Sequence, residues 1–410
     1  MSIKIIIMKN KLNISIIIPV HNDLLYLEKL LLEIDKQNVE PDEIIIIDSS
    51  TNFEIYNYLK KININLQIIY KSFYNTLKFR IGFPGLSRNI GSSIAKNEDI
   101  LFLDTKTIPS NSNWIFERYK LFEYTKSSYL IGRTKFIPNN NLQEIHYASS
   151  YGNKIYNTVP GTFIKKNFIN KNLFLEYLRA GEDIEWKIRI QNKNKNTDNH
   201  SENYLIYNDK NNNILKLLYK YILYSFHSAR IDIQTNTKHM YLSLILILSL
   251  LVIPRWNFLI GGWENNPLYI PNITKIYFIS ILLLMLISLL INNFIFRRMY
   301  EGILSKTLKI ITFIIITYSI FNWNIFISSF VEYSVFVIPH ITKIYISSLF
   351  IILIIYRGIF KPLSNSIQIR KLFPIKFLLI GCLGFILDIV KMPGYIFGAL
   401  LSIFSFNFIK

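Results

Sequence analysis

Apolar residues are arranged differently in the two halves of this chain. In the first half they form short continuous runs separated by stretches of helical spacing. Ile14–Val20 (ISIIIPV) is a near-continuous run of strand length, the pattern of a strand buried on both faces of a parallel sheet. Leucines at helical spacing follow over Leu24–Ile34, and Pro41 precedes a second buried strand, Glu43–Ile47. Phe53–Lys61 reads as a helix and Leu66–Tyr70 as a third strand. A further helix opens near Leu86 and feeds a fourth strand, Ile100–Leu103. In that helix Gly91 and Ala95 recur at i, i+4, the small-residue spacing that lets a helix lie close on a sheet. Strands alternating with helices predict an α/β domain with right-handed crossovers and a mostly parallel sheet.

The second half carries longer apolar runs. The polar, low-complexity stretch Gln191–Asn203 (QNKNKNTDNHSEN) reads as a loop. Ile214–Ile233 is apolar with Lys216, Lys220 and Arg230 interspersed; it suits a helix in a membrane interface or one packed on the soluble domain. Apolar runs follow at Tyr241–Ile253, Ile276–Phe296, Leu308–Phe330, Ile344–Tyr356 and Phe377–Val390. A span needs about 20 residues. The second and third runs qualify outright. The first reaches that length only through Pro254-Arg255, and the fourth only by starting near Ser334. The fifth is short and interrupted by Asp388 and Lys391, which suggests a re-entrant or interfacial segment. Arg297, Arg298, Lys306 and Lys309 fill the second inter-run loop, and Arg357, Lys361, Arg370, Lys371 and Lys376 the fourth. By the positive-inside rule these loops and the N-terminal domain face the cytoplasm. The expected organisation is a catalytic domain over 1–190, a linker with an interfacial helix over 191–239, and a transmembrane region of four to five helices over 240–410.

Composition narrows the functional classes. The 410 residues are 51% hydrophobic, with a formal net charge of +19. A basic chain suggests nucleic acid, an anionic membrane surface or a phosphorylated substrate, and basic clusters between apolar runs favour the membrane over nucleic acid. The one cysteine, Cys382, excludes an intrachain disulfide framework. The six histidines show no HExxH spacing. No GxGxxG follows the first strand and no GxxxxGK[ST] occurs, which argues against dinucleotide oxidoreductases and P-loop enzymes. The N-terminus, MSIKIIIMKNK, lacks the long apolar region and cleavage site of a signal peptide.

Candidate chemistry gathers at strand ends, where open α/β sheets bind ligands. The first strand ends in His21-Asn22-Asp23, the second in Asp48-Ser49-Ser50 and the fourth in Asp104-Thr105-Lys106. Arg88, in the first turn of its helix, opposes the helix dipole and calls for an anion opposite.

Ile14–Asp23, Glu43–Ser50, Gly85–Ala95 and Ile100–Pro109 resemble, in order and spacing, the nucleotide-sugar-binding half of family 2 glycosyltransferases of the GT-A fold. Further on, Gly161–Phe168 resembles that family's acceptor-side loop and Phe174–Arg189 its Glu-Asp segment. The resemblance covers roughly 12–190. It implies that Asp48, with the backbone around Pro19 and His21, binds the nucleoside and that Arg88 helps hold the nucleotide. Asp104, first residue of a D-x-D motif, would lie against the ribose and the metal-bound diphosphate. Asp183, beside Glu182, would be the general base of an inverting transfer. Gly161, Thr162, Trp186 and Arg189 would lie on the acceptor side. Lys106 replaces the second Asp of D-x-D, which puts a divalent cation (Mn²⁺ or Mg²⁺) in doubt. Three readings stand: Lys106 takes over charge neutralisation, it points outward while Asp104 keeps the metal, or the site is degraded. The family's processive synthases carry QxxRW, which is absent here, so transfer of a single sugar is expected. The acceptor would be a polyprenyl-phosphate or lipid-linked saccharide of a cell envelope. The alternative is a catalytically degenerate domain acting as a membrane scaffold.

Overall fold

The structure is a computed structural model. It describes residues 9–62, 64, 66–73, 82–191, 203–209, 213–230, 253–259, 267–273, 276–277, 318–330, 337–338 and 341–404. The chain forms two compact units, Met1–Ile233 with Tyr356–Lys410, and Gln234–Ile355. These differ from the boundaries expected at 190 and 240, because the C-terminal segment returns to the first unit, which a linear hydropathy pattern does not reveal.

The first unit holds an eight-stranded mixed sheet in the order β3-β2-β1-β4-β7-β6-β8-β5. Its strands are β1 (Asn10–Val20), β2 (Val39–Asp48), β3 (Ile68–Ser72), β4 (Asp99–Phe102), β5 (Thr107–Pro109), β6 (Tyr129–Phe136), β7 (Ile155–Lys165) and β8 (Leu205–Tyr207). β3, β2, β1 and β4 are mutually parallel, so their carboxyl ends share one edge. β7 is antiparallel to β4 and β6 antiparallel to β7.

The isoleucine runs cover both faces of the parallel block, as their continuity predicts. Ile14, Ile16, Ile18, Ile44 and Ile46 face a core that includes Leu27 and Leu30 of α1 (Leu24–Asp35). Ile17, Ile45 and Ile47 face the opposite core with Phe174 and Trp186. α2 (Glu54–Leu59) precedes β3. α3 (Pro84–Ile94) crosses β1 at Gly91, where an added Cβ would lie 2.4 Å from Ile17 Cγ2. The small-residue spacing in the sequence therefore marked a real close approach. α4 (Trp114–Thr125), α5 (Asn141–Ser150), α6 (Lys166–Asn170) and α7 (Glu182–Gln191) complete this layer structure.

α8 (Ile214–Arg230) packs along a long C-terminal helix of the same unit. That helix runs without a break over Lys376–Phe404, so the fifth apolar run is neither short nor interrupted. Asp388 lies inside it at 3% exposure and is held by Arg357, whose Nε donates to its Oδ2 at 2.6 Å, and by Lys391 at 3.4 Å. Paired in this way, the charges are accommodated without ending the helix. Gly394 and Gly398 let α8 come close: a Cβ on them would meet the carbonyl oxygens of Ile222 and Phe226 at 2.3 and 2.2 Å.

In the second unit α9 (Trp323–Phe330) and α10 (Ile341–Ile355) are described. Val337 and Ile338 are coil, with Ile338 N–H donating to Asn324 Oδ1 at 2.9 Å, and the expected start of the fourth run near Ser334 lies outside the described residues. The run Tyr241–Ile253 but for its last residue, the run Ile276–Phe296 but for its first two, and the start of Leu308–Phe330 lie outside the described residues, as does the second basic loop. Among the described residues one helix, numbered α11 here (Lys376–Phe404), is long and apolar enough over Lys376–Tyr395 to cross a membrane.

Candidate active site

The carboxyl ends of β1, β2 and β4 are stitched together by main-chain bonds: Ser49 N–H donates to Val20 O at 2.9 Å and Leu103 N–H to Ile17 O at 3.0 Å. This brings two of the expected groups to one crevice edge. His21 Nδ1 lies 2.9 Å from Ser49 O. Burial, with Arg179 nearby, lowers the His21 pKa, which favours the neutral ring. Asp48 is 1% exposed; its two oxygens accept from Ser50 N–H at 2.8 Å and Tyr70 O–H at 2.7 Å. Pro19 pairs with Ile47 in the ladder and contributes through its backbone.

A second group centres on Arg88. Its guanidinium donates to Asp104 Oδ1 at 2.8 Å and to Glu182 Oε1 at 3.0 Å, and the side chain is 3% exposed. Burial alone would lower its pKa, but the two carboxylates more than offset that and raise it. Arg88 is the fifth residue of α3, past its first turn, and the anion the sequence called for opposite it is supplied by the protein itself. Arg88, expected to help hold the nucleotide, is a strut between the turn after β4 and α7.

Glu182 and Asp183 open α7 after Gly181, which sits at φ +88°. Glu182 is 4% exposed and its pKa is pushed up to about 7, by burial first and by the neighbouring Asp183 next, against the pull of Arg88. Asp183 is half-buried, and its Oδ1 accepts from Ile184 N–H at 2.8 Å. Two adjacent carboxylates thus have different surroundings, one locked to a cation and the other in the first turn of a helix.

Lys106 pairs with Asp23 at 3.6 Å and lies over the Tyr26 ring at 5.0 Å. Thr105 Oγ1 donates to the other oxygen of Asp23 at 3.3 Å. Each carboxylate on this turn is therefore already matched to a cation: Asp104 to Arg88, and Asp23 to Lys106. An ammonium occupies the position of the second carboxylate ligand. Among the described residues no group of three or more Asp, Glu, His or Cys side chains is arranged to hold a metal ion. The donor set does not fit a divalent cation, which prefers several oxygen ligands and no adjacent ammonium.

The residues expected on the acceptor side are placed otherwise. Trp186 is fully buried, stacked on Phe174 at 4.5 Å, with Nε1 donating to Asn172 O at 2.6 Å. Thr162 is 0% exposed, and its Oγ1 accepts from Gly132 N–H at 2.9 Å. Gly161, at φ +85°, would bring a Cβ within 3.3 Å of Trp114 Cζ2. Gly161, Thr162 and Trp186 are thus packed among buried neighbours. Arg189 Nε donates to Glu185 Oε1 at 2.8 Å, a pair within α7.

Three further residues stand beside these groups; Tyr70 and Arg179 were not singled out from the sequence, and Asp23 only as part of the first strand's polar end. Tyr70, at the end of β3, holds Asp48. Asp23 anchors Lys106. Arg179 bonds Gly82 O beside the His21 ring, across 97 residues of sequence. Asp23 and Arg179 lay inside quoted motif segments; Tyr70 had only its strand-end position as a signal.

A parallel α/β block with polar groups at its strand ends is continued by an antiparallel extension and an acidic helix start. Residues 15–178 match the family described as Glycosyl transferase family 2 and form a glycosyltransferase domain. Similar solved structures include S. aureus TarS 1–349 in complex with UDP-GlcNAc, at 17% identity over 50% of this chain and 61% of that one, TM-score 0.39. Another is the mannosyltransferase PcManGT from Pyrobaculum calidifontis in complex with GDP-Man and Mn²⁺, at 12% identity over 53% of this chain and 62% of that one, TM-score 0.38. The chain thus spans less than two thirds of either. Comparison with curated proteins gave no match.

Proposed function

We propose that this protein is an inverting glycosyltransferase that moves one sugar from a nucleoside-diphosphate sugar to a membrane-associated acceptor. The observation that carries the reading is the Arg88 strut, which ties the D-x-K turn after β4 to the Glu-Asp start of α7. A donor-binding carboxylate and a candidate base are thereby fixed against each other, as positional catalysis requires.

In this reading Asp48 and the His21 backbone hold the nucleoside. Asp183 takes the proton of the acceptor hydroxyl. The acceptor oxygen bonds to the anomeric carbon as the bond from that carbon to the phosphate oxygen breaks, and the nucleoside diphosphate leaves with the electron pair. Lys106, at the same turn, offers its ammonium to the leaving diphosphate once it is released from Asp23. Glu182, tied to Arg88, positions Asp183. The acceptor is a polyprenyl-phosphate or lipid-linked saccharide in cell-envelope synthesis, and α11 supports an integral-membrane placement with the catalytic domain cytoplasmic.

The test uses the full chain in detergent with UDP-, GDP- and dTDP-sugars. Asp183→Asn should keep donor affinity and lower turnover by about 10³-fold. A folded protein that binds no donor would transfer support to the scaffold reading. Full activity in Asp183→Asn would remove Asp183 as base.

A further inference from the structure

Apolar side chains that protrude together from a fixed backbone mark a surface built to be covered. One such group lies just ahead of α11 and on its first turn. Ile369, Phe373 and Ile375 stand out at 56, 49 and 64% exposure, and Leu378 and Leu379 carry the patch onto the helix.

The backbone beneath them is held. Ile369–Lys371 forms a single 3-10 turn, Leu372 N–H donates to Ile369 O at 2.9 Å, and Phe377 N–H donates to Leu372 O at 2.8 Å. Leu372 is 0% exposed and packs in a small core with Ala148 of α5 and Ile380 of α11. Lys376 Nζ pairs with Glu144 Oε1 of α5 at 2.9 Å. One buried leucine thus pins the segment to the first unit and turns its neighbours on either side outward.

Charge says what covers the patch. Residues 356–387 include five cations and no Asp or Glu. Arg357 is spent on Asp388, and Lys376 on Glu144. Arg370 and Lys371 are exposed, and among the described residues neither has an acid within ion-pair distance. An apolar protein face would cover the isoleucines but strand these two cations. A nucleic acid would match the cations and gain nothing from Ile369, Phe373 and Ile375. A bilayer takes both, since apolar tips reach the acyl boundary while Lys and Arg heads stay at the level of the phosphates. A zwitterionic headgroup brings its own ammonium, so two unmatched cations select an anionic lipid. The position agrees: the patch adjoins the start of α11, the described helix that is apolar and long enough to cross a membrane.

We propose that residues 369–379 form a foot that seats the glycosyltransferase domain on an anionic phospholipid surface. Ile369, Phe373 and Ile375 enter the acyl boundary, and Arg370 and Lys371 pair with headgroup phosphates. The proposal rests on the membrane placement given above and is independent of the transfer chemistry.

The chain carries its own reporter. Cys382, its one cysteine, is exposed on α11 one turn past Leu378 and on the same face. The full chain, labelled there with an environment-sensitive fluorophore, is placed in nanodiscs of phosphatidylcholine and phosphatidylglycerol in equal parts, with bromine on the acyl chains of one lipid or the other. Lipid exchange at the label should favour phosphatidylglycerol by about fivefold or more, and added salt should erode that preference in the unaltered chain, a readout that needs no variant to fold. Arg370→Ser with Lys371→Ser should abolish the preference, whereas Arg370→Lys with Lys371→Arg should keep it. Absence of quenching by either brominated lipid would show the patch covered by protein and overturn the proposal. A preference that survives in the double serine variant would overturn it as well. Equal quenching by both lipids would end the anionic selection and leave the membrane placement standing, whereas a chain that enters no disc would end both.

Discussion

Replacing Glu182 by Gln isolates the largest electrostatic conflict in the crivice wall without removing the strut that contains it: the amide still accepts from Arg88, and Arg88 keeps Asp104 at 2.8 Å. In the native protein burial and Asp183 raise the Glu182 pKa from 4.5 to about 7. Between those values the folded state binds the proton and the unfolded state does not. Stability therefore falls as pH rises through the window. At about 1.4 kcal/mol per tenfold change in proton affinity, the loss across the window is roughly 3 kcal/mol. His146, with its pKa lowered from 6.5 to about 3, acts in the opposite sense: its contribution is complete above 6.5 and is lost on acidification toward 3. The wild-type profile alone thus mixes opposing slopes. The difference between Glu182→Gln and wild type cancels the histidine contribution, because the two sites share no contact. Thermal unfolding of the full chain in detergent, from pH 4.5 to 8, should show the variant gaining on wild type as pH rises. The relative shift should be roughly 6 °C, at ~2 °C per kcal/mol for a large domain. A difference that is flat with pH, or that shrinks as pH rises, would refute the reasoning.

Three other outcomes follow from the same geometry. Lys106→Asp restores a D-x-D sequence and should make donor affinity respond to Mn²⁺ by about tenfold, while wild-type affinity should be the same in Mn²⁺ and in EDTA; wild-type dependence on Mn²⁺ would contradict the fit of the donor set. Asp388→Leu leaves Arg357 and Lys391 buried without their carboxylate, so thermal and denaturant unfolding should show a loss of about 3–5 kcal/mol, part of it regained in Asp388→Leu with Arg357→Met. Gly91→Ala forces a Cβ against Ile17 and should destabilise by ~1–3 kcal/mol, with Ile17→Ala relieving the overlap in the double variant; an unchanged Tm in Gly91→Ala would show that the α3–β1 contact is slack.

Much of the fold was legible because it rests on local patterns. The runs ISIIIPV and EIIIID carry apolar residues at consecutive positions over Ile16–Ile18 and Ile44–Ile47, as a strand covered on both faces does. Gly91 and Ala95 marked the helix face that meets the sheet, and His21, Asp48 and Asp104 lay at strand ends that a parallel topology brings to one edge. The strand ends were therefore legible from order along the chain. Exposure was not legible in the same way. Trp186 and Thr162 read as acceptor-side groups from their motif positions, yet an indole or hydroxyl is turned inward or outward by its neighbours, which here are Phe174, Asn172 and Gly132.

The amino-acid order by itself determined the β–α alternation, the carboxyl-edge location of the crevice and the Lys at the second position of D-x-D, since each depends on residues close together in sequence. Only the tertiary structure decided that Arg88 spends its charge on Asp104 and Glu182, which are 16 and 94 residues away. The same holds for the pairing of Lys106 with Asp23 and the burial of Asp388 against Arg357. A charged side chain takes whichever partner the fold brings within a few ångströms, and in a buried setting that partner fixes both its orientation and its protonation.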